Sequence, residues 1–373
     1  MSMRDERVEQ SNAHFIRKRY RKQMVPVFDQ DGNALFPCKE RRARMLMTRK
    51  EAIPFYQKGI FCIKLIRKET KKREEYPEIV LGIDPGSKRE GYTVLCEKGV
   101  VLNITSNTPC WIKSHLETRR NLRRSRRFRK TPYRKMRKNR SASKRKGRVP
   151  PSTKARWDAK IRVINLLCKI LPINNIVVED VKAKTKEGKK KWNKSFSPLE
   201  VGKKYFYNFL YQIFENVLLI NGYDTAKWRE FRDFKKDHKN KLSYKWEAHN
   251  VDSHSLAEML IGKPINPVKK IHILTFLEHK RRQLHKQVPA KKNIRRVVGG
   301  TVSLGLSRGS VAIWKNQIGY IGGTSKYKYV KAKEDRISIH DIKISHLKTD
   351  NRFVRTAKLK DIKVLCHTKY IIK

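Results

Sequence analysis

The feature that most constrains the fold is a pair of short apolar runs, each ending in a carboxylate. Ile79-Val-Leu-Gly-Ile83 runs into Asp84-Pro-Gly, and Ile176-Val-Val178 runs into Glu179. Short apolar runs bounded by turn residues predict buried strands. A turn directly after Asp84 leaves its carboxylate at the mouth of the sheet. Because side chains alternate along a strand, Gly82 shares the face of Asp84, and we expect substrate or metal to approach closely there.

The order of predicted elements narrows the fold class. After three strands, the sequence predicts helix, strand, helix, strand and helix: Ile79–Ile83, Tyr92–Cys96, Val100–Ile104, Ser152–Leu171, Ile176–Glu179, Leu199–Ile220, Tyr223–Trp228, and a helix starting near Asp252. This is the order of an α/β, RNase H-like fold. Its first and fourth strands are neighbours, so Asp84 and Glu179 should meet, and the last helix should bring Asp252 to the same end.

Three carboxylates at one sheet end indicate metal-dependent phosphodiester chemistry. Two-metal hydrolysis holds its cations about 3.5–4 Å apart, and hard oxygen ligands suit Mg²⁺. We therefore expect Asp84, Glu179 and Asp252 to bind two Mg²⁺ ions, with Mn²⁺ as a substitute. His249 precedes Asp252 by three residues on the same helical face. It is the candidate for general base or for orienting the attacking water.

Charge indicates a polyanionic partner. The 373 residues contain 90 Lys and Arg against 34 Asp and Glu, a formal net charge of +56. A secreted cationic protein or a membrane binder are the alternatives. Met1–Gln10 lacks the apolar core of a signal peptide, and no 18-residue apolar run is present. We expect a protein that is not secreted and has no membrane partner, located in the cytoplasm or nucleoid of a prokaryote or in an organelle.

The most basic segment is rich in arginine. Residues 119–148 include 17 Lys or Arg among 30, and no acid occurs between Glu117 and Asp158. The sequence predicts a helix here, whose arginines bind phosphates bidentately and stack on bases. A disordered basic linker or a localisation signal is the alternative. The candidate nucleic-acid-binding residues are Arg119, Arg120, Arg123, Arg124, Arg126 and Arg127.

Several motifs resemble a known family. Ile83-Asp-Pro-Gly86, Val177-Val-Glu179 and His249-x-x-Asp252-Ser resemble the three split RuvC segments, and the arginine-rich stretch resembles the bridge helix of RNA-guided nucleases. Leu35-Phe-Pro37 is similar to the Pro-Leu-Met-Pro motif of the IscB group, with Ala34 in place of the first Pro. Downstream similarity is carried by Arg281-Arg-Gln-Leu-His285, Gly299-Gly-Thr301, Ser303–Ser310 and Ile318–Gly323.

The absence of an HNH domain indicates which members of that group the chain resembles. IscB proteins carry an HNH domain between the second and third RuvC segments, whereas only Val181–Ala248 intervene here. The chain therefore resembles IsrB, the HNH-lacking relative. The resemblance implies an RNA-guided nickase that cuts the non-target DNA strand. Its implied partners are a structured guide (omega) RNA and double-stranded target DNA with a flanking motif, around a monomeric protein in a ribonucleoprotein.

The predicted domain organisation follows from the motifs. Val25–Phe28 and Ala34–Pro37 predict a hairpin, Arg41–Lys50 a basic helix and Ile60–Ile66 a strand, which together form a small β-rich module. The expected divisions are a basic tail (1–21), this module (22–76), RuvC segment I (77–109), the bridge helix (110–150), RuvC segments II (151–222) and III (223–262), and a small C-terminal β domain contacting the flanking motif (263–373).

Two other function classes remain open. The same fold serves unguided, structure-specific nucleases such as resolvases. A nucleic-acid-binding protein with a silent site, such as an RNA chaperone or maturation factor, is the second. A structured RNA encoded beside the gene favours the guided nuclease, whereas cleavage of four-way junctions favours a resolvase.

Overall fold

The computed structural model describes most of the chain. The described residues are 23–66, 77–128, 149–183, 197–240, 242–276, 302–303, 306–307, 310–314, 317–324, 336–341, 353–366 and 370–372. Side chains of Arg126 and Arg127 and the whole predicted 1–21 tail lie outside the described set, as do Arg281–His285 and Gly299–Thr301. Within the described helices, none has the length and apolar character needed to cross a membrane.

Six helices and eighteen strands make up the described part. The helices are α1 (Glu40–Thr48), α2 (Ile112–Phe128), α3 (Pro151–Ile170), α4 (Pro198–Ile213), α5 (Gly222–Phe231) and α6 (Trp246–Ile261). The strands up to the last helix are β1 (Val25–Phe28), β2 (Ala34–Cys38), β3 (Ala52–Gln57), β4 (Ile60–Leu65), β5 (Ile79–Asp84), β6 (Arg89–Cys96), β7 (Gly99–Asn107), β8 (Asn175–Glu179) and β9 (Asn216–Ile220). The remaining strands are β10 (His272–Phe276), β11 (Val302–Ser303), β12 (Leu306–Ser307), β13 (Val311–Trp314), β14 (Gln317–Thr324), β15 (Arg336–Asp341), β16 (Phe353–Lys358), β17 (Lys363–Cys366) and β18 (Tyr370–Ile372).

The chain divides into two compact units. The first contains residues up to Ser106 together with Trp157–His272, and the second contains Asn107–Arg156 and Ile273–Lys373. The first unit thus takes its residues from both sides of the arginine-rich segment. Each unit is described separately below.

A sheet with the order β7-β6-β5-β8-β9 forms the centre of the first unit. β5 pairs antiparallel with β6 and parallel with β8, and β8 pairs parallel with β9. The first and fourth strands of the predicted core are therefore neighbours, as expected for an RNase H-like fold. Helix α6 packs on β5, β6 and β8. The cluster beneath it combines strand and helix residues, namely Val80, Leu95, Val100, Val177, Ile220, Leu256 and Ala257.

The small N-terminal module has a four-stranded sheet of its own, in the order β2-β1-β4-β3. β1 and β2 form the predicted antiparallel hairpin, and the predicted helix is present as α1. Ala43 and Leu46 of α1 pack on Val25, Ile63 and Leu65. The sequence interpretation missed β3, whose Ala-Ile-Pro-Phe-Tyr-Gln run is extended because it pairs along its whole length with β4.

Two sequence assignments after residue 198 are wrong. The helix predicted over Leu199–Ile220 begins correctly, with Ser197 accepting a hydrogen bond from Glu200 N (3.0 Å), but it ends at Ile213 because Phe214 is extended. Asn216–Ile220 is instead strand β9, since a short apolar run satisfies its backbone groups by pairing with β8.

The strand predicted over Tyr223–Trp228 is helix α5. Asn216–Ile220 already forms the edge strand β9. Helix α5 packs against α6, and its Thr225 is buried. The last helix also begins earlier than expected, at Trp246 rather than near Asp252. Asp252 therefore lies two turns inside α6, where the helix is rigid.

The second unit contains helix α2 and the C-terminal strands. β10 pairs antiparallel with β18, β11 pairs with β12, and an antiparallel sheet has the order β16-β15-β14-β13-β17. Ala312 and Ile321 are fully buried in that sheet and pack with Leu306, Leu359, Ile362 and Val364. Along α2, Arg120, Arg123 and Arg124 are exposed, and Arg119 is partly buried.

Candidate metal and nucleic-acid site

Three carboxylates from three elements converge in the first unit. Asp84 is the last residue of β5, Glu179 is the last residue of β8, and Asp252 lies on α6. One carboxylate oxygen from each lies within 4.8 Å of the others. The parallel pairing of β5 with β8 places Ile83 beside Val178, so the two strand-end acids are adjacent. The sequence prediction that these residues meet is confirmed by this geometry.

Glycines allow the helix to approach the sheet closely. A Cβ on Gly82 would lie 1.9 Å from the carbonyl oxygen of Ser253, and one on Gly91 would lie 2.1 Å from that of His249. The expectation that Gly82 leaves space for substrate or metal is therefore wrong, because the backbone of α6 occupies that space. Gly222 has a related role, since a Cβ there would lie 2.6 Å from Glu179 Oε1.

Buried polar side chains fix the register of α6. Asn250 donates to the carbonyl oxygens of Tyr92 and Ile104 (both 3.1 Å) and accepts from Thr105 Oγ1 at 2.6 Å. Ser253 and Thr93 hydroxyls lie 2.8 Å apart. Hydrogen bonds buried in this way are strongly directional, and breaking one leaves a costly unpaired group. Sequence reasoning missed Asn250 and Ser253, although a run of polar residues inside an apolar helix was a usable signal.

Two cations that sequence reasoning also missed contact Asp252. Lys236 Nζ forms an ion pair with Asp252 Oδ2. Arg229 Nε of α5 lies 2.9 Å from Asp252 Oδ1, but its N–H does not point at that oxygen. Asp252 is 1% exposed, and among the described residues its Oδ1 has no hydrogen-bond donor. The sequence interpretation missed this arrangement because it assigned Tyr223–Trp228 to a strand, whereas Arg229 contacts Asp252 from helix α5.

The charge balance of the cluster is unfavourable without a cation. Burial raises the pKa of Asp84 well above its usual range, and the charges of Asp252 and Glu179 raise it further, while Lys236 opposes them. Like charges at this distance cannot all ionise in a poorly solvated site. A divalent cation would relieve this repulsion.

The residues fit a divalent cation. The ligands are hard carboxylate oxygens, which Mg²⁺ and Mn²⁺ prefer. The buried Oδ1 of Asp252 accepts no hydrogen bond among the described residues. One oxygen from each of the three carboxylates lies within 4.8 Å of the others, so the three are close enough to bind the same metal centre.

His249 lies one helical turn before Asp252 and is 9% exposed. Its ring is not part of the cluster of carboxylates. His254 and Glu258, further along α6, belong to a different network. Glu258 accepts from Trp228 Nε1 (2.9 Å) and from Arg232, and His254 Nε2 lies 3.0 Å from the Ile265 carbonyl oxygen. The base role of His249 stays a prediction.

The fold and the site together define an α/β sheet with an acidic cluster suited to metal ions. A family model described as "RRXRR protein" matches residues 25–194. The matched region holds Asp84 and Glu179, and the pattern in that description occurs at Arg123-Arg-Ser-Arg-Arg127 on α2. A search of curated proteins finds no match.

Two solved structures are similar to the chain. T. thermophilus RuvC in complex with a Holliday junction substrate matches 50% of this chain and 94% of that chain, with 10% identity and a TM-score of 0.27. The yeast mitochondrial Holliday junction resolvase Ydc2 matches 50% of this chain and 79% of that chain, with 15% identity and a TM-score of 0.26. The fold assignment rests on strand order and pairing.

Proposed function

We propose that this protein is a metal-dependent, RNA-guided DNA nickase. The observation that carries the nuclease assignment is the convergence of Asp84, Glu179 and Asp252 within 4.8 Å at one end of the central sheet. A formal net charge of +56 supports a nucleic-acid substrate. The guided mode is supported by the resemblance to IsrB and by the exposed arginines of α2, which we propose bind the guide RNA or the heteroduplex.

In this mechanism Asp84, Glu179 and Asp252 would hold two Mg²⁺ ions. When bound, the ions supply an activated water and stabilise the leaving oxygen of the cleaved phosphodiester. His249, one turn from Asp252, accepts a proton from the attacking water or orients it. Lys236 and Arg229 balance the charge of Asp252 and keep its carboxylate fixed at the site.

We propose a single cutting centre, formed by the three carboxylates. Within the described residues, the three carboxylates are the cluster of metal-ligating side chains found. One centre cuts one strand of a duplex in one event. The product of guided cleavage is therefore expected to be nicked DNA, with the displaced non-target strand cut.

The test is cleavage of a supercoiled plasmid library with a randomised flank. The protein is co-expressed with the noncoding RNA encoded beside its gene, and Mg²⁺ is supplied. Open-circle product should require guide match, Mg²⁺ and Asp84, so Asp84→Ala should abolish it. Glu97→Gln is the matched control, because Glu97 is a half-exposed carboxylate paired with Lys263, away from the cluster.

Other products separate the alternatives. Asp84-dependent cleavage of four-way junctions without RNA would replace the guided function with a resolvase. Recovery of a bound RNA with no cleavage under any metal would leave a binding or maturation protein. Linear plasmid would contradict the single-centre mechanism.

A further inference from the structure

Arg89 is a buried guanidinium with unused donors beside the acidic cluster. It is the first residue of β6 and is 6% exposed. Its Nε and Nη1 atoms are buried and have no hydrogen-bond acceptor among the described residues. Its guanidinium carbon lies 3.6 Å from the centre of the Tyr244 ring. Burial of guanidinium donors without acceptors is costly, so an acceptor that arrives with a ligand would be bound strongly.

The turn that carries Arg89 is held rigidly. A Cβ on Gly86 would lie 1.6 Å from the carbonyl oxygen of Arg89, so only glycine allows this close reversal. Lys160 of α3 forms a buried ion pair with Glu90 and donates to the Gly86 carbonyl oxygen at 3.3 Å. Tyr92 donates to Glu90 at 2.6 Å. The Glu90 carboxylate therefore has partners within the chain, whereas Nε and Nη1 of Arg89 have no acceptor among the described residues.

The strand register places Arg89 close to the cluster. Asp84 pairs with Gly91 across the two strands. Arg89 lies two residues beyond Gly91 toward the turn, about 7 Å along the strand at roughly 3.3 Å per residue. This distance corresponds to about two nucleotides at roughly 3.4 Å of rise each. A nucleic-acid strand that runs from the carboxylates toward this turn would reach Arg89 within about two phosphates.

Phosphate is the acceptor that best matches the buried donors of Arg89. Arginine donates charge-assisted hydrogen bonds to phosphate oxygens, and stacking on an aromatic ring orients its plane while leaving its edges for acceptors. The chain has 34 acids for 90 basic side chains, so carboxylate acceptors are scarce. Access requires a shift of the Tyr244 side chain, and side-chain changes of this kind are common on binding.

We infer that Arg89, held by Tyr244, is a binding residue for a backbone phosphate of the nucleic-acid strand that enters the acidic cluster. The inference rests on the proposed nuclease function for the identity of that strand. It adds a phosphate contact at the start of β6, where sequence analysis identified no binding residue. The ligand class is a phosphodiester.

The test combines affinity with stability in the full-length protein. Binding of a 30-nucleotide single-stranded DNA is measured in EDTA across a salt series for Arg89→Met, Arg89→Lys and the control Arg49→Met, an exposed arginine. We expect Arg89→Met to raise Kd about tenfold and to lower the salt slope by about 0.7. Arg89→Lys should lose part of the affinity, and Arg49→Met should change it less.

Stability separates a binding role from a structural one. Because Nε and Nη1 of Arg89 lack acceptors among the described residues, Arg89→Met should unfold at an equal or higher temperature. Lys160→Met should unfold at a lower temperature, because it leaves the buried Glu90 carboxylate without its ion-pair partner. Tyr244→Ala should weaken DNA binding and be non-additive with Arg89→Met. Unchanged affinity of Arg89→Met, or a melting temperature as low as that of Lys160→Met, would overturn the inference and indicate an acceptor within the chain.

The outcome is independent of cleavage, because binding is measured in EDTA. If Arg89→Met loses affinity while no Asp84-dependent cleavage is found, the nuclease proposal fails and the phosphate contact stands. If cleavage depends on Asp84 while Arg89→Met binds normally, the phosphate contact fails and the nuclease proposal stands.

Discussion

At the scale of residues, the site combines mutually repelling charges with few partners. Asp252 has two cationic neighbours, Arg229 and Lys236. The pKa of Asp84, in contrast, is raised by burial and by the charges of the other two carboxylates. Repulsion within such a cluster lowers the stability of the metal-free protein, and bound cations would relieve it. Activity and stability should therefore respond in opposite directions to removal of one negative charge.

Glu179→Gln is the substitution that tests this opposition. The amide keeps the shape of the side chain but removes one charge, so metal binding weakens while repulsion of Asp84 falls. We expect cleavage to fall by at least about a hundredfold, and the melting temperature in EDTA to rise by about 2–4 °C. Nuclease assays and thermal unfolding of the same preparations measure both quantities.

Glu97→Gln again serves as the control, with little change expected in either quantity. A Glu179→Gln protein that melts at a lower temperature in EDTA would show that Glu179 stabilises the metal-free fold, and would contradict the charge argument.

At the scale of elements, the site depends on how closely α6 packs on the sheet. Gly82 and Gly91 remove the side chains that would separate the helix from β5 and β6, and Asn250 joins the helix to β6 and β7. Asp252 reaches the strand ends only because this spacing is kept. The geometry of the acidic cluster is thus a property of packing, as well as of the carboxylates themselves.

Gly82→Ala tests the packing. Its Cβ would lie 1.9 Å from the Ser253 carbonyl oxygen and 3.0 Å from Ala257 N, so α6 must move. We expect a loss of about 3 kcal/mol or more in the free energy of unfolding, together with loss of cleavage. Chemical denaturation measures the first effect.

The matched control is Gly32→Ala, which has open space around its Cβ but a φ of +89°. Backbone strain alone should cost it about 1 kcal/mol without loss of cleavage. An equal cost for the two variants would mean that the sheet and helix separate easily, and that close packing does not set the site.

At the scale of the whole molecule, we expect the high net positive charge to dominate binding to nucleic acid. The basic residues include Arg41 and Arg42 of α1, Arg49 directly after it, and Arg120, Arg123 and Arg124 of α2, all of which are exposed. A chain with this charge repels itself in isolation, and binding of nucleic acid releases counterions from the polyanion. We therefore expect strong, salt-dependent binding that is independent of the catalytic acids.

Replacing Arg120, Arg123 and Arg124 together by Gln tests whether α2 is a specific contact. We expect the slope of log K against log salt for the co-purifying RNA to fall in magnitude by about 2 to 3, and the amount of RNA that co-purifies to drop. Filter binding across a salt series measures the slope.

The control is the Arg41, Arg42 and Arg49 triple replacement, which removes the same charge from exposed positions elsewhere. Equal loss of slope in both triple variants would mean that binding follows total charge, and would contradict a specific role for α2.

The sequence by itself determined the parts of this protein that local pattern controls. Short apolar runs ending in Asp84 and Glu179 specified two strands and their terminal acids, and the arginine-rich run specified helix α2, because alternation, turn residues and helix propensity act within a few residues. The order of the predicted elements along the chain also indicated an RNase H-like fold, from which we predicted that Asp84 and Glu179 meet.

Tertiary structure decided the rest, where one local pattern fits two elements. Asn216–Ile220 is a strand because β8 offers a partner, and Tyr223–Trp228 is helical because α6 buries one side of it. Gly82 serves helix packing, and Arg229 and Lys236 reach Asp252 only once those elements are placed. Such contacts join residues far apart in sequence, and their free energy exceeds the small propensity differences that local patterns express.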